Sequence, residues 1–260
     1  MSATMAAQMV GADLLKLRKR RSTMAWSLLL AVAPLLIYFI VAAAQHSSNP
    51  VGYPPAGGVS GYQDALRIVA VFFGPLAAIL IGADAGAGDA ASGVFRDLVV
   101  TGRSRIVLFA TRVPAAIALS WLVASVAYAL VVIGTLAFAV GSPTPDAGTL
   151  IDGYGFTLLS SGVVCAVAVA FSSLTASRPG ALVALIGWQL IASPILTNIS
   201  SLGSARDLVL REAIDQFSPI SLGDRGGRVA MSTGTALIVM VVWLALFGVL
   251  GAWRTRTMDA

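Results

Sequence analysis

The chain has 260 residues, 57% hydrophobic and 11% charged, with a mean hydropathy of +0.87 and a formal net charge of +5. That balance lies well outside soluble-domain averages and excludes a water-soluble globular fold. A single cysteine, Cys165, excludes an internal disulfide as well.

A bilayer's hydrocarbon core is about 30 Å thick, so a helical crossing needs about 20 mostly apolar residues, and lipid-facing backbone cannot be irregular. Six stretches qualify: about 24–44, 68–87, 114–140, 156–176, 181–200 and 231–253. The expected fold is all-α, a single polytopic transmembrane domain over residues 1–260.

Residues 1–23 read as an interfacial helix entering the first span. Val10, Leu14 and Leu17 share one helical face, and Lys16, Lys19 and Arg20 lie away from it. The alternative is a disordered basic tail drawn to anionic lipid. The first apolar run is about 20 residues long, beyond the 7 to 15 of a signal peptide, so the first span is expected to stay in the mature protein. The loop 45–63 follows, with His46, the only histidine. The second span is diluted by Gly, Ala and Pro and contains Asp84 near one end. The plain reading of Asp84 is a helix-end polar group; a role in ion coupling is the sharper one.

Residues 88–112 hold four arginines. Between Asp89 and Val100 a short helix fits, with Ala90, Val94, Phe95 and Leu98 on one side and Arg96 and Asp97 turned elsewhere. Thr101 and Gly102 stop it. A short helix with exposed apolar residues suits a groove on a soluble partner. The third span, a neutral loop 141–155 and the fourth span follow, with Cys165 as a small core residue. The turn "ASRPG" carries Arg178 into the fifth span. Before the last span, Leu210, Ala213, Ile214 and Phe217 fall at i, i+3, i+4 and i+7, while Asp207, Arg211 and Asp215 form a row on another face. This predicts an amphipathic helix lying on the outer surface, over 204–217, ended by Pro219.

Lys and Arg near span ends set orientation. Lys16, Arg18, Lys19, Arg20 and Arg21 precede the first span and Arg254 and Arg256 follow the last, so both termini are expected in the cytoplasm. The loops 45–63 and 141–155 have no Lys or Arg, and the basic loops alternate with them. The segment before the last span departs from this, with Arg206, Arg211, Arg225 and Arg228 on the expected outer side.

Several chemistries lack their residues. A phosphate-binding P-loop needs Gly-Lys followed by Ser or Thr. The two lysines, Lys16 and Lys19, precede Leu17 and Arg20, so ATP cannot be held in that way. One histidine cannot form a two-histidine zinc site or credible triad chemistry. The expectation is a transport protein, not an enzyme, with no metal or cofactor in this chain and no nucleic-acid partner. The central parts of the third to sixth spans hold almost no ionisable groups, which argues against an ion-coupled carrier.

The interval from Asp89 to Arg112 resembles the loop between the second and third spans of type-2 ABC transporter permeases. In that family the loop runs Glu, three residues, Gly-Thr, two residues, Leu-Leu, two positions ending in Pro, a hydrophobic residue, Ser-Arg and a later Lys. Asp89 stands for the Glu, Gly93 matches, Val94 replaces Thr, and Leu98 and Val99 take the Leu pair. Gly102 replaces Pro, Ser104 and Arg105 match Ser-Arg, and Arg112 takes the basic position. The overall plan is similar too, including the Ser218-Pro219 pair in the outer element.

The resemblance implies a cytoplasmic coupling helix, with Asp89, Gly93, Val94, Phe95, Asp97, Leu98, Val99, Ser104 and Arg105 at the contact with a separate ATPase subunit. The implied partners are two ATPase copies, which would hold ATP and magnesium, and a second permease, the same or a homologous chain, in membrane lipid. The implied function is an exporter of a drug, peptide antibiotic or other amphipathic compound. An Ala- and Arg-rich, Lys-poor composition is associated with high-GC bacteria, hence a bacterial inner or plasma membrane. The other readings are a stand-alone carrier or channel, a regulatory membrane protein, and, for residues 88–105 alone, a linker with ordinary positive-inside arginines.

Overall fold

The computed structural model describes residues 3–91, 104–220 and 231–257. Among them every regular element is helical. Helix α1 (Ala3–Lys19) turns at Arg20 into α2 (Arg21–Ser48), the first helix long and apolar enough to cross a membrane. The second, Gly58–Asp89, runs through α3 (Gly58–Leu66), a π-helical segment (Arg67–Phe73) and α4 (Gly74–Ala91). Helices α5 (Arg105–Ala137) and α6 (Ala147–Thr175) are the third and fourth. The fifth, Arg178–Asn198, combines α7 (Arg178–Gly187), a second π segment (Trp188–Ala192) and α8 (Ser193–Asn198). A 3-10 stretch (Ser200–Leu208) and the short α9 (Leu210–Asp215) precede α10 (Thr233–Thr257), the sixth. The chain is an all-α polytopic membrane protein.

These helices outrun the apolar stretches at several ends, because caps and local pairs carry them on. Asp146 accepts the Thr149 amide at the start of α6. Ser177 accepts from the Gly180 amide at the start of α7, with Pro179 in the first turn, where its missing N–H costs nothing. Arg67 and Asp64 pair at 3.4 Å before the apolar part of the second span. Pro114 lies inside α5 rather than at its start.

The core is unequally shared. In the most apolar windows of the second and fourth spans, 72% and 67% of residues are buried, against 22% in the first, fifth and sixth. The second and fourth spans therefore form the centre. Ile40, Val183, Ile238 and Val241 of the outer spans stay exposed, as lipid-facing residues do. The small residues that dilute the second span are the reason it sits inside. A Cβ on Gly82 would lie 2.7 Å from the Cys165 carbonyl oxygen, and one on Gly86 2.3 Å from that of Val169. This Gly-x-x-x-Gly spacing lets α4 and α6 approach closely. Ser172 and Ser173 then donate to the carbonyls of Gly82 and Gly86 at 3.2 and 3.3 Å. At the other end of the second span, the hydroxyls of Tyr62 in α3 and Tyr128 in α5 meet at 2.9 Å, and Tyr62 donates to the Thr149 carbonyl of α6 at 3.0 Å.

The helix expected over residues 1–23 is present as α1, packed along α5, in place of the alternative basic tail. One expectation is revised. The segment before the last span is not one surface helix over 204–217. It breaks at extended Val209 between the 3-10 stretch and α9. It also turns into the bundle: Trp243, near the middle of α10, donates its indole N–H to the Leu208 carbonyl at 2.9 Å. The Arg211 guanidinium lies 5.2 Å from the ring of Phe72, near the middle of the second span. Leu210, Ala213 and Ile214 are buried, as an apolar stripe demands. Arg206 donates to the Gly203 and Thr197 carbonyls at 3.2 and 3.4 Å. Two of the arginines that departed from the charge pattern are thus absorbed by the protein itself; Arg225 and Arg228 lie outside the described residues.

Candidate functional site

Helix α4 brings two carboxylates into its last turns, and both are buried, Asp84 at 3% exposure and Asp89 at 4%. A helix C-terminus already carries partial negative charge, so buried anions there require cations close by. Four are supplied from four different helices or turns. Arg20, in the turn between α1 and α2, places Nη1 2.8 Å from Asp84 Oδ1 and Nη2 3.7 Å from Asp89 Oδ1, bridging the two. Arg178 opens α7 and reaches Asp84 Oδ1 with Nε at 3.1 Å. That Nε makes no directed hydrogen bond, so the contact is ionic. Arg112 of α5, 6% exposed at its side chain, donates to Asp89 Oδ2 at 2.9 Å. Lys16 of α1 donates to Asp89 Oδ1. Thr23 of α2 completes the set, donating to Asp84 Oδ2 at 2.6 Å.

A third carboxylate stands beside these. Asp13 accepts from Thr111 at 2.9 Å. Burial raises the Asp13 carboxyl above its ordinary 3.8, against the opposing pull of the Thr111 bond and of Arg112 and Lys16. Gly88 is part of the design, because a Cβ there would meet Arg20 Nη1 at 2.2 Å. The space left among these side chains is only about 10 Å³, the lower edge of what one water needs. The carboxylates are buried, whereas Lys16 and Arg178 reach them from the surface with side chains 37% and 38% exposed. The arrangement can hold helices together. Among the described residues no group of three or more His, Cys, Asp or Glu side chains could hold a metal ion.

Several residues singled out from the sequence meet here and others do not. Leu17 is 4% exposed in the core, and Val10 and Leu14 are half-buried on α1. Lys16 and Arg20 correct the expectation that they point away: they face inward onto Asp89 and Asp84. The physical reason is the stripe Asp13, Lys16, Leu17, Arg20, spaced i, i+3, i+4, i+7, which is the packed face of α1. A search for apolar residues alone passes over it, because its polar members are satisfied by buried charges elsewhere in the chain. Ser104 is the N-cap residue of α5. Arg105 donates to the Arg256 carbonyl at 3.2 Å, tying the start of α5 to the end of α10. Gly93, Val94, Phe95, Asp97, Leu98 and Val99 lie outside the described residues. Asp84 takes the plain role of a helix-end polar group, now with two cations and a hydroxyl around it.

The roles of Thr23 and Arg178 are what sequence reading missed, since nothing local to either marks a partner more than 60 residues away. No protein-family model matches this chain, and no curated protein matches it at a significant level.

Proposed function

We propose that this chain is the membrane-spanning permease subunit of an ATP-driven exporter of the type-2 ABC class, working with a separate ATPase and a second permease chain. The observation that carries the reading is the Asp89 to Arg112 contact at 2.9 Å. These are the first and last residues of the interval that resembles the family's coupling loop, so the loop is clamped at its base. The clamp belongs to an ionic cluster that also holds α1, α2 and α7. A push on the loop from an ATPase on the cytoplasmic side would then move five helices together, which is how a rigid-body rearrangement is driven. The cargo in this reading is a drug, peptide antibiotic or other amphipathic compound.

The test is reconstitution with the partner ATPase that co-purifies with the chain. Phe95→Ala with Leu98→Ala should leave membrane insertion and assembly intact and abolish ATPase stimulation and export. Arg105→Ala is made separately, because its bond to the Arg256 carbonyl gives it a second role. Unchanged stimulation in the double variant, or absence of any co-purifying ATPase, would overturn the reading.

The Arg211 and Asp215 pair, 3.6 Å apart and set against the middle of the second span, is the observation that favours a stand-alone carrier. Flux in proteoliposomes containing this chain and no ATPase would decide for it.

A further inference from the structure

A cavity of about 280 Å³ lies between the second, fourth, fifth and last spans, with α9 as its remaining wall. It is remote from the ionic cluster and shares no residue with it. Its lining is largely apolar and includes four aromatic side chains: Phe171, Trp188, Trp243 and Phe247. The polar lining residues are Ser160, Gln189, Arg211 and Asp215. Ser160 is used up, since its hydroxyl donates to the Ala70 carbonyl at 2.7 Å. Gln189 is not: its side chain is 8% exposed and its amide has no hydrogen-bond partner among the described residues. Arg211 touches Asp215 through Nε at 3.6 Å and covers the Phe72 ring, yet donates no hydrogen bond among the described residues.

Donors that make no hydrogen bond to protein in a largely apolar lining are ready to take a polar ligand group. Both π-helical segments border this cavity, the first through Val71 and the second through Trp188 and Gln189. A π turn shifts side chains off the α register and commonly marks a functional position. Here it brings Gln189 to the cavity wall.

We propose that this cavity binds a single-chain amphiphile whose carboxyl head meets Arg211 and Gln189 and whose hydrocarbon lies among the aromatic residues. A planar carboxyl group is what a guanidinium fork matches best, and its second oxygen can accept from the Gln189 amide. The volume is at the low end of small-molecule sites, which suits one chain and not the two of a phospholipid. The site lies within one protomer and does not depend on ATP or on a partner chain.

Trp188 and Trp243 make the test direct. The purified chain in nanodiscs is titrated with dibrominated stearic acid, which quenches indole fluorescence on contact. The quenching lost in Trp188→Phe is the cavity signal, separating it from lipid-phase quenching of exposed Trp26, Trp121 and Trp253. The expected result is saturable quenching, displaced by unbrominated acid. It weakens about tenfold in Arg211→Gln and in Gln189→Leu as charge-assisted and amide bonds are lost. Val164→Phe, which fills the cavity from α6 without touching the polar residues, should abolish it. Quenching that does not saturate, or that is unchanged in both Gln189→Leu and Val164→Phe, would overturn the proposal. Equal or stronger saturation by a dibrominated phospholipid would overturn the single-chain carboxyl assignment.

Discussion

Asp89 is the residue on which most of the buried charge converges, and its loss is not equivalent to the loss of any one partner. Asp89→Leu takes the 2.9 Å carboxylate partner from the Arg112 guanidinium, 6% exposed, and one anion from Lys16 and Arg20 at once, and is expected to cost about 3 kcal/mol. Arg112→Leu should cost less, because Lys16 and Arg20 still face Asp89. The double variant should be less destabilised than the sum of the two, a coupling that SDS-unfolding titrations of the four proteins measure. Asp13 makes a pH prediction. Its raised carboxyl binds a proton more readily in the folded state than in the unfolded one, so its contribution to stability falls as pH rises from about 3.8 through the raised value. Asp13→Asn keeps an acceptor for Thr111 and removes that slope. Thermal unfolding midpoints between pH 4 and 8 should fall less steeply for the variant than for the wild type. None of this was legible one residue at a time. Composition marks charge as scarce and makes Asp84 notable, but whether Lys16 faces lipid or a carboxylate 73 positions later is a tertiary fact.

At the level of elements, the six membrane-capable helices were the most legible part of the chain, because the bilayer's thickness dictates their length and apolarity. The Gly, Ala and Pro content of the second span was legible as weakness in hydropathy, whereas its meaning is close packing. Gly86→Leu should therefore be among the most damaging substitutions in the chain, since its Cβ alone would meet the Val169 carbonyl oxygen at 2.3 Å in backbone that cannot move cheaply. Protease sensitivity or loss of a monodisperse peak on size exclusion checks it, with Gly11→Leu, which has open space, as the tolerated control. The element before the last span shows the opposite case. Its apolar stripe was readable and its buried face follows that stripe, yet its course into the bundle depends on Trp243 and Phe72, residues that no local pattern links to it. The π-helical segments leave no sequence signature either, because the extra residue per turn is absorbed without a change in composition.

Across the whole molecule, the charged cluster and the Tyr62 and Tyr128 pair secure opposite ends of the second and third spans with different chemistry, ionic at one end and neutral hydrogen bonding at the other. Tyr62→Phe removes two hydrogen bonds, to Tyr128 and to the Thr149 carbonyl, and should cost about 1–2 kcal/mol. Because the two sets share no partner, Tyr62→Phe and Asp89→Leu should add within a few tenths of a kcal/mol. A clear departure from additivity in unfolding titrations would mean that the ends communicate through the core.

The ionic cluster also has a timetable. A chain is made from its amino terminus, and its helices can settle in the membrane before they pack together. Lys16 and Arg20 exist early, Asp84 and Asp89 some seventy residues later, and Arg178 only when more than two thirds of the chain has been synthesised. Until then Asp84 has fewer of its cations at a helix end that disfavours anions. Completion of the knot therefore reports that the fifth span has arrived in place, and Arg178→Ala should show itself first in cells, as nascent protein cleared by membrane proteases, before any change is seen in the purified, finished chain.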